Sequence, residues 1–219
     1  QSNTHDKNWV PPLKMSWRQM FDFKKNTFWK NTQSAFFIAV KGDKTVGRIA
    51  SIVISSQGEE KTGYFGFIEA VDDKNVFENL FKTTEKLLLE QGCKKIIGPL
   101  NPSINYELGV LTDGFRTPPY FMLSHNPEYY NERILNCGYK KEMDFYSYYI
   151  GNRDFILTDK IKRTMNLLLK RSDLRVRHAD LRNFDAELKI FHDIYNDSFS
   201  RHWGFVPMDE SEFHYMAKD

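Results

Sequence analysis

The stretch Tyr64–Leu100 constrains the fold more than any other part of the 219-residue chain. It opens on the β-rich run Tyr64–Val71, passes an acidic turn, and then places apolar residues at helical spacing as far as Gln91. Gly92 supplies a helix stop, and Lys94–Gly98 is typical of a short strand. The pattern predicts a βαβ unit whose first turn exposes backbone N–H groups at a helix N-terminus, where a phosphate can bind.

Further strands are predicted on either side of this unit. Ala35–Val40 and Thr45–Ile54 are β-rich runs joined by four residues that include Gly42-Asp43, which is typical of a hairpin. The aromatic run Lys140–Ile150 predicts a closing strand after a short helix that begins at Asn126-Pro127. The predicted fold class is therefore α/β (α+β), with a mixed, largely antiparallel sheet flanked by helices.

Between the last strand of the unit and that short helix lies a long irregular segment, residues 99–125, rich in proline and apolar side chains. A long ordered loop in a compact domain is more often functional than a linker. Ligands of open α/β sheets bind at the carboxyl ends of strands, where this loop begins. The candidate substrate-binding residues are therefore its polar cluster, Asn101, Ser103, Asn105, Tyr106 and Glu107. A hydrogen-bond network that orders the loop is the alternative interpretation.

The chain is predicted to divide into residues 1–152 and residues 153–219. In the second part a helix is predicted over Asp159–Arg171, a strand over Leu174–Ala179, and helices over Phe184–Phe199 and Met208–Lys218. With Asp159–Arg171 as a linker helix, the remainder is one strand and two helices, which cannot bury their apolar faces alone. We expect this tail to pack on the first domain, or to be completed by more of a second domain.

The composition reduces the classes of binding partner that are expected. The net charge is +2 without a basic block, and no apolar run approaches the ~18 residues of a membrane span, so neither nucleic acid nor a membrane is expected as a partner. The two cysteines, Cys93 and Cys137, indicate a reducing, cytoplasmic setting. The histidines have no metal-ligand spacing, so no metal is expected. A dimer is left open.

The order of these elements resembles the GCN5-related N-acetyltransferase (GNAT) superfamily from Phe36 to Ile150. The hairpin's second strand carries Val46-Gly47-Arg48-Ile49, the βαβ unit follows, and Asn126–Tyr139 is a helix that ends in Gly-Tyr. The resemblance implies an N-acyltransferase that uses acetyl-CoA or another acyl-CoA, with a small-molecule or amine acceptor. The tail, through Ile194–Phe199 and Trp203–Met208, resembles the start of a second such domain in bacterial proteins that carry two in tandem.

The resemblance also implies a cofactor site at the turn before the long helix. The corresponding residues here are Ala70, Val71, Asp72, Lys74, Asn75, Val76 and Phe77. Family members carry Gln or Arg and then two glycines at positions that Asp72, Asn75 and Phe77 hold in this chain. Like-charge repulsion from the acidic turn could weaken pyrophosphate binding by ~1 kcal/mol or more.

Two catalytic roles follow from the same resemblance. Glu69, near the end of the central strand, is the candidate general base, and burial among apolar neighbours would raise the pKa of such a carboxyl. Tyr130, in preference to Tyr129, is the candidate acid for the leaving thiolate. The alternatives are an exposed or backbone-bonded glutamate, and a core tyrosine that is in this place by coincidence.

Three functional hypotheses remain. The first is an acyl-CoA-dependent N-acyltransferase with an unknown acceptor. The second is a non-catalytic GNAT-like binding or structural domain with a degenerate CoA turn, the activity residing in a second domain. The third is an aminoacyl or long-chain acyl transferase that uses two domains together.

Overall fold

The computed structural model describes residues 6–55, 61–151, 157–171 and 177–217. The helices are α1 (Lys14–Met20), α2 (Lys74–Glu90), α3 (Tyr129–Asn136), α4 (Asp159–Arg171), α5 (Phe184–Phe199) and α6 (Glu210–Ala217), with 3-10 turns at Thr27–Asn31 and Leu181–Asn183. The strands are β1 (Thr32–Lys41), β2 (Lys44–Ile54), β3 (Thr62–Ala70), β4 (Lys95–Ile97), β5 (Leu100–Asn101) and β6 (Glu107–Leu108).

The main sheet has the order β1-β2-β3-β4, with β1, β2 and β3 antiparallel and β4 parallel to β3. Lys41 pairs with Lys44, so the predicted four-residue hairpin loop is a two-residue turn in which Gly42 has a φ of 60°. The predicted βαβ unit is confirmed as β3-α2-β4, and the fold is a mixed, largely antiparallel sheet flanked by helices.

Both faces of the sheet are covered, which explains why β2 and β3 show little polar alternation in sequence. On one face Ile49 and Phe65 pack against the apolar stripe of α2 and against Tyr130 of α3. On the other face, Ala50 and Ile52 pack against an aromatic cluster that includes Phe28 and Trp29 of the first 3-10 turn. The middle of β3 is thus buried between these two clusters.

The chain passes very close to β3 as it leaves β4. A Cβ atom at Gly66 would overlap the carbonyl oxygen of Leu100, and one at Gly98 would overlap the carbonyl oxygen of Phe65. Glycine is required at both positions because two backbones touch there. Asn101 continues this contact, since its Oδ1 accepts a hydrogen bond from the backbone N–H of Phe67, a residue with a φ of 50°.

The predicted strand Lys140–Ile150 is wrong. The segment has no regular secondary structure, and its side chains are exposed. A strand needs a neighbour for its backbone N–H and C=O groups, and in the described part of the chain no strand runs beside it. Its aromatic rings instead make isolated contacts, Tyr149 with Tyr120 and Phe145 with Trp203.

The start of α3 also differs from the prediction. Glu128 is the N-cap of the helix. Asn126 is buried, and its side-chain amide accepts a hydrogen bond from Leu111 N–H at 2.7 Å and donates one to the Leu111 carbonyl at 3.3 Å. The asparagine therefore pins the long loop instead of capping the helix.

The tail packs on the first part of the chain, which is one of the two predicted outcomes. Met208 is buried, and Val206 packs against the aromatic cluster beneath the sheet. Residues 177–179 of the predicted strand Leu174–Ala179 have no regular structure, whereas residues 174–176, Lys218 and the proposed boundary at 152/153 lie outside the described residues. In the described residues no helix is long and apolar enough to cross a membrane.

Candidate functional site

The turn between β3 and α2 is occupied by the chain's own carboxylates. Asp73 is the N-cap of α2, and its Oδ1 accepts a hydrogen bond from Asn75 N–H at 2.9 Å. This bond is the main cause of the lowered pKa of Asp73, and Lys41, 3.3 Å from the other carboxylate oxygen, adds to it. The capping carboxylate therefore takes the N–H that an open helix N-terminus would offer to a phosphate.

Two cations border this turn. Lys41 contacts Asp73, and Arg133 of α3 contacts Asp72, with 2.7 Å between Nε and Oδ1. The resulting hydrogen bond and charge raise the pKa of Arg133. The turn lies where an anion can bind, at a helix N-terminus and beside two cations. Those cations, however, already form ion pairs with Asp72 and Asp73. The turn fits a diphosphate poorly as it stands.

The remaining predicted cofactor residues are divided between surface and core. Val71, Lys74 and Asn75 are exposed, whereas the side chains of Ala70, Val76 and Phe77 are buried. Phe77 lies edge-on to Tyr130 with 5.4 Å between ring centroids. The bulky residue at the second glycine position therefore points into the core and does not fill the turn.

The two candidate acids of α3 are bound to the last residue of β3. Tyr130 Oη accepts a hydrogen bond from Ala70 N–H at 2.9 Å, and Tyr129 Oη donates one to the Ala70 carbonyl at 2.8 Å. Tyr130 is only 3% exposed. The Tyr130 hydroxyl thus lies at Ala70, the residue that follows Glu69 in the chain. Its own proton is directed to the Ala70 carbonyl oxygen at 3.5 Å, and it must leave that oxygen before Tyr130 can donate to a substrate.

Glu69 is partly exposed near the end of β3, as the alternative of an exposed strand-end glutamate expects, and it is not enclosed by apolar residues. Its side chain is 27% exposed and forms an ion pair with Arg48, which lies directly opposite on β2, with 2.9 Å between Nη2 and Oε2. The Arg48 guanidinium also lies over the Trp17 ring, 4.6 Å from its centroid. Arg48 therefore links Trp17 and Glu69, because its guanidinium contacts the ring of one and the carboxylate of the other.

The polar residues of the long loop form hydrogen bonds with one another and with the tail. Asn101 Nδ2 donates to Glu107 at 3.2 Å, and the buried Ser103 accepts from Asn105 N–H. Asn105 then bonds the tail twice, donating to the Val206 carbonyl and accepting from Tyr195 Oη at 2.8 Å. This arrangement agrees with the loop-ordering alternative, and substrate binding by these residues stays a prediction.

Two half-buried or buried carboxyls in this network have the chemistry of acid–base groups. Burial raises the pKa of Glu107, although hydrogen bonds from Asn101 and Ser124 oppose the shift. Burial, with repulsion from Asp209, raises the pKa of Glu212 to about 7, while Tyr106 Oη donates to its Oε1 at 3.0 Å. A carboxyl that titrates near neutrality can both give and accept a proton.

Sequence reasoning identified Glu107 only as a polar loop residue and missed Arg48 and Glu212. Arg48 could have been found from the hairpin, because opposite charges at facing strand positions form pairs. No local signal marks Glu212, whose burial depends on a contact 106 residues away in the chain.

Comparison with known proteins gives two clear sequence relatives. The chain is 34% identical over 223 residues to a bacterial ceramide synthase from Caulobacter vibrioides, covering 99% of this chain and 57% of that protein. It is 33% identical over 219 residues to the Escherichia coli protein YghO, covering 97% of this chain and 54% of that protein. The chain therefore spans just over half the length of both relatives. No protein-family model matches it.

Among solved structures, an aminoglycoside acetyltransferase from a soil metagenome is similar at a TM-score of 0.38 and 12% identity. The superposition covers 66% of this chain and 79% of that one. A likeness this loose does not assign a family.

Proposed function

We propose that this chain is part of an N-acyltransferase whose acceptor is a long-chain amine and whose acyl donor is an acyl-CoA. One observation carries the proposal, the 34% identity to a bacterial ceramide synthase across 99% of the chain. A ceramide is an amide of a long-chain amino alcohol, so its synthesis joins an acyl group to an amine nitrogen. The order hairpin, strand, long helix, strand, which carries the resemblance to GNAT enzymes, supports the same reaction class.

The end of β3 offers the groups for the proton transfers. As a carboxylate, Glu69 can accept a proton from the amine as the nitrogen attacks the acyl carbon. Arg48 fixes the orientation of that carboxylate through the ion pair, and Trp17 holds the guanidinium in place. Tyr130 is the proposed acid for the leaving thiolate, and its hydroxyl gives up the 3.5 Å hydrogen bond to the Ala70 carbonyl oxygen when it donates the proton.

The experiment is an amide-formation assay on the purified chain. A long-chain amino alcohol and an acyl-CoA are supplied, and the N-acyl product is measured by mass spectrometry. We expect product with the long-chain acceptor, and a loss of about 10²–10⁴-fold in turnover for Glu69→Gln, the usual contribution of a general base. Glu78→Gln, a surface glutamate of α2, is the matched control. Unchanged turnover in Glu69→Gln would remove the proposed role of Glu69.

The second candidate function is a binding or structural domain whose partner domain performs the reaction. The observation that favours it is the acidic turn, where Asp73 accepts a hydrogen bond from Asn75 N–H and Asp72 forms an ion pair with Arg133. In that case the chain alone forms no amide, whereas a longer protein that contains it does. The same assay on both proteins therefore separates the two candidates.

A further inference from the structure

Helix α4 differs from the other helices in its exposure. All side chains from 159 to 170 are exposed. Ile161, Met165 and Leu169 follow each other at intervals of four residues, so they share one face. They are 46, 50 and 47% exposed. An aligned apolar face of this kind needs a covering surface.

The charges of the same helix indicate what that surface is. The described basic residues are Lys160, Lys162, Arg163 and Lys170, and the sequence from 159 to 171 contains a single acid, Asp159. At 100° per residue, Lys162 lies on a flank of the apolar face, whereas Lys160, Arg163 and Lys170 lie on the opposite side of the helix, together with Leu167. Lysines in flanking positions can lay their stems along apolar surface and keep their ammonium groups in a polar layer.

The length of α4 adds a further constraint. It has 13 residues, and isolated helices shorter than ~12–15 residues are marginal in water. Burial of its exposed apolar face would therefore add to the stability of the helix. A surface that buries this face and attracts its cations would stabilise the helix.

We propose that α4 docks on an anionic lipid surface, lying in the plane of the headgroups with Ile161, Met165 and Leu169 inserted. Helices with an apolar face and a polar face rich in lysine and arginine bind membranes in this way, without spanning them. Each basic residue near an anionic leaflet contributes attraction, which a neutral protein surface would not provide. The proposal replaces the sequence-based expectation that a membrane is not a partner.

Docking goes beyond the proposed acyl transfer and is inferred from the helix alone. It nevertheless suits an enzyme for a long-chain amine, because such a molecule partitions into membranes. The two proposals fail separately, since vesicle binding needs neither an acyl-CoA nor an amine.

The test is co-sedimentation of the chain with vesicles. We expect it to bind vesicles that contain phosphatidylglycerol, to bind phosphatidylcholine vesicles far less, and to be released by high salt. Lys160→Gln with Lys162→Gln should lower the affinity for anionic vesicles roughly 25-fold, about fivefold per charge. Ile161→Gln with Met165→Gln should abolish binding, because the inserted face is lost.

Matched controls come from α2, which has exposed lysines and one exposed leucine. Lys82→Gln with Lys86→Gln, and separately Leu89→Gln, should bind as the parent chain does. Circular dichroism checks that every variant is folded. Absence of binding to anionic vesicles, or equal losses in the α4 and α2 variants, would overturn the proposal. Self-association without vesicle binding, lost in Ile161→Gln with Met165→Gln, would assign the face to a second copy of the chain instead.

Discussion

At the scale of single residues, the most unusual group is the carboxyl of Glu212. It is 7% exposed, accepts a hydrogen bond from Tyr106 and lies near Asp209. Burial raises its pKa to about 7, above the 4.5 of an unperturbed glutamate. The folded state therefore holds a proton there that the unfolded state releases at lower pH.

This difference predicts how stability depends on pH. Between about pH 4.5 and pH 7 the folded state binds more protons at Glu212, so its contribution to the free energy of unfolding falls as pH rises. The loss amounts to about 3 kcal/mol at most. In Glu212→Gln, whose amide oxygen can still accept from Tyr106, this part of the pH dependence should vanish, as measured by urea unfolding at pH 5 and pH 8.

Glu210→Gln is the control for that measurement, because Glu210 is an exposed glutamate on the same helix. It should keep the pH dependence of the parent chain. If Glu212→Gln and the parent lose the same stability between the two pH values, Glu212 does not titrate as described.

At the scale of elements, the turn between β3 and α2 determines how well the fold can bind an anion at the N-terminus of α2. The strand, the helix and the stop at Gly92 follow from periodicity and capping residues, and the structure confirms them. The wrong prediction at 140–150 has a different cause. Alternating aromatics describe a segment able to form a strand, but whether it does depends on a neighbouring strand, which local sequence does not specify.

Neutralising the turn should open it to a diphosphate. Asp73→Ser keeps an N-cap residue, and Asp72→Asn releases Arg133. Removing about 1 kcal/mol of repulsion should strengthen CoA binding roughly fivefold in the double variant, measured by titration calorimetry.

A change at the far end of α2, Glu90→Gln, should leave CoA affinity unaltered. Phe77→Gly is unsuitable for this purpose because Phe77 is fully buried, and its loss would open a cavity in the core. If neutralising both aspartates leaves CoA binding unchanged, the turn is not where the diphosphate binds.

At the scale of the whole molecule, the tail and the long loop depend on each other. Asn105 bonds Val206 and Tyr195, Tyr106 bonds Glu212, and Tyr215 bonds the Gln19 carbonyl. The polar loop cluster was visible in sequence as a set of residues able to hydrogen-bond. Its partners in the tail lie 90 or more residues away, so only the folded chain reveals them.

Asn105→Ala should therefore loosen the tail. It removes two hydrogen bonds and leaves the Val206 carbonyl and the Tyr195 hydroxyl without this partner, which should cost about 1–3 kcal/mol. Hydrogen exchange should show faster exchange in α5 and α6 and unchanged protection in β3. Asn79→Ala, on the exposed face of α2, should change neither; uniform effects in both variants would contradict the docking role of Asn105.

We propose that this fold binds an acyl-CoA although its own carboxylates occupy the turn. Calorimetric titration of octanoyl-CoA into the unmodified chain tests it directly. We predict saturable binding with a Kd of roughly 0.1–1 mM, within the upper part of the usual KM range. No heat of binding up to the solubility limit of the ligand would contradict the claim and leave the chain as the non-catalytic part of a longer protein.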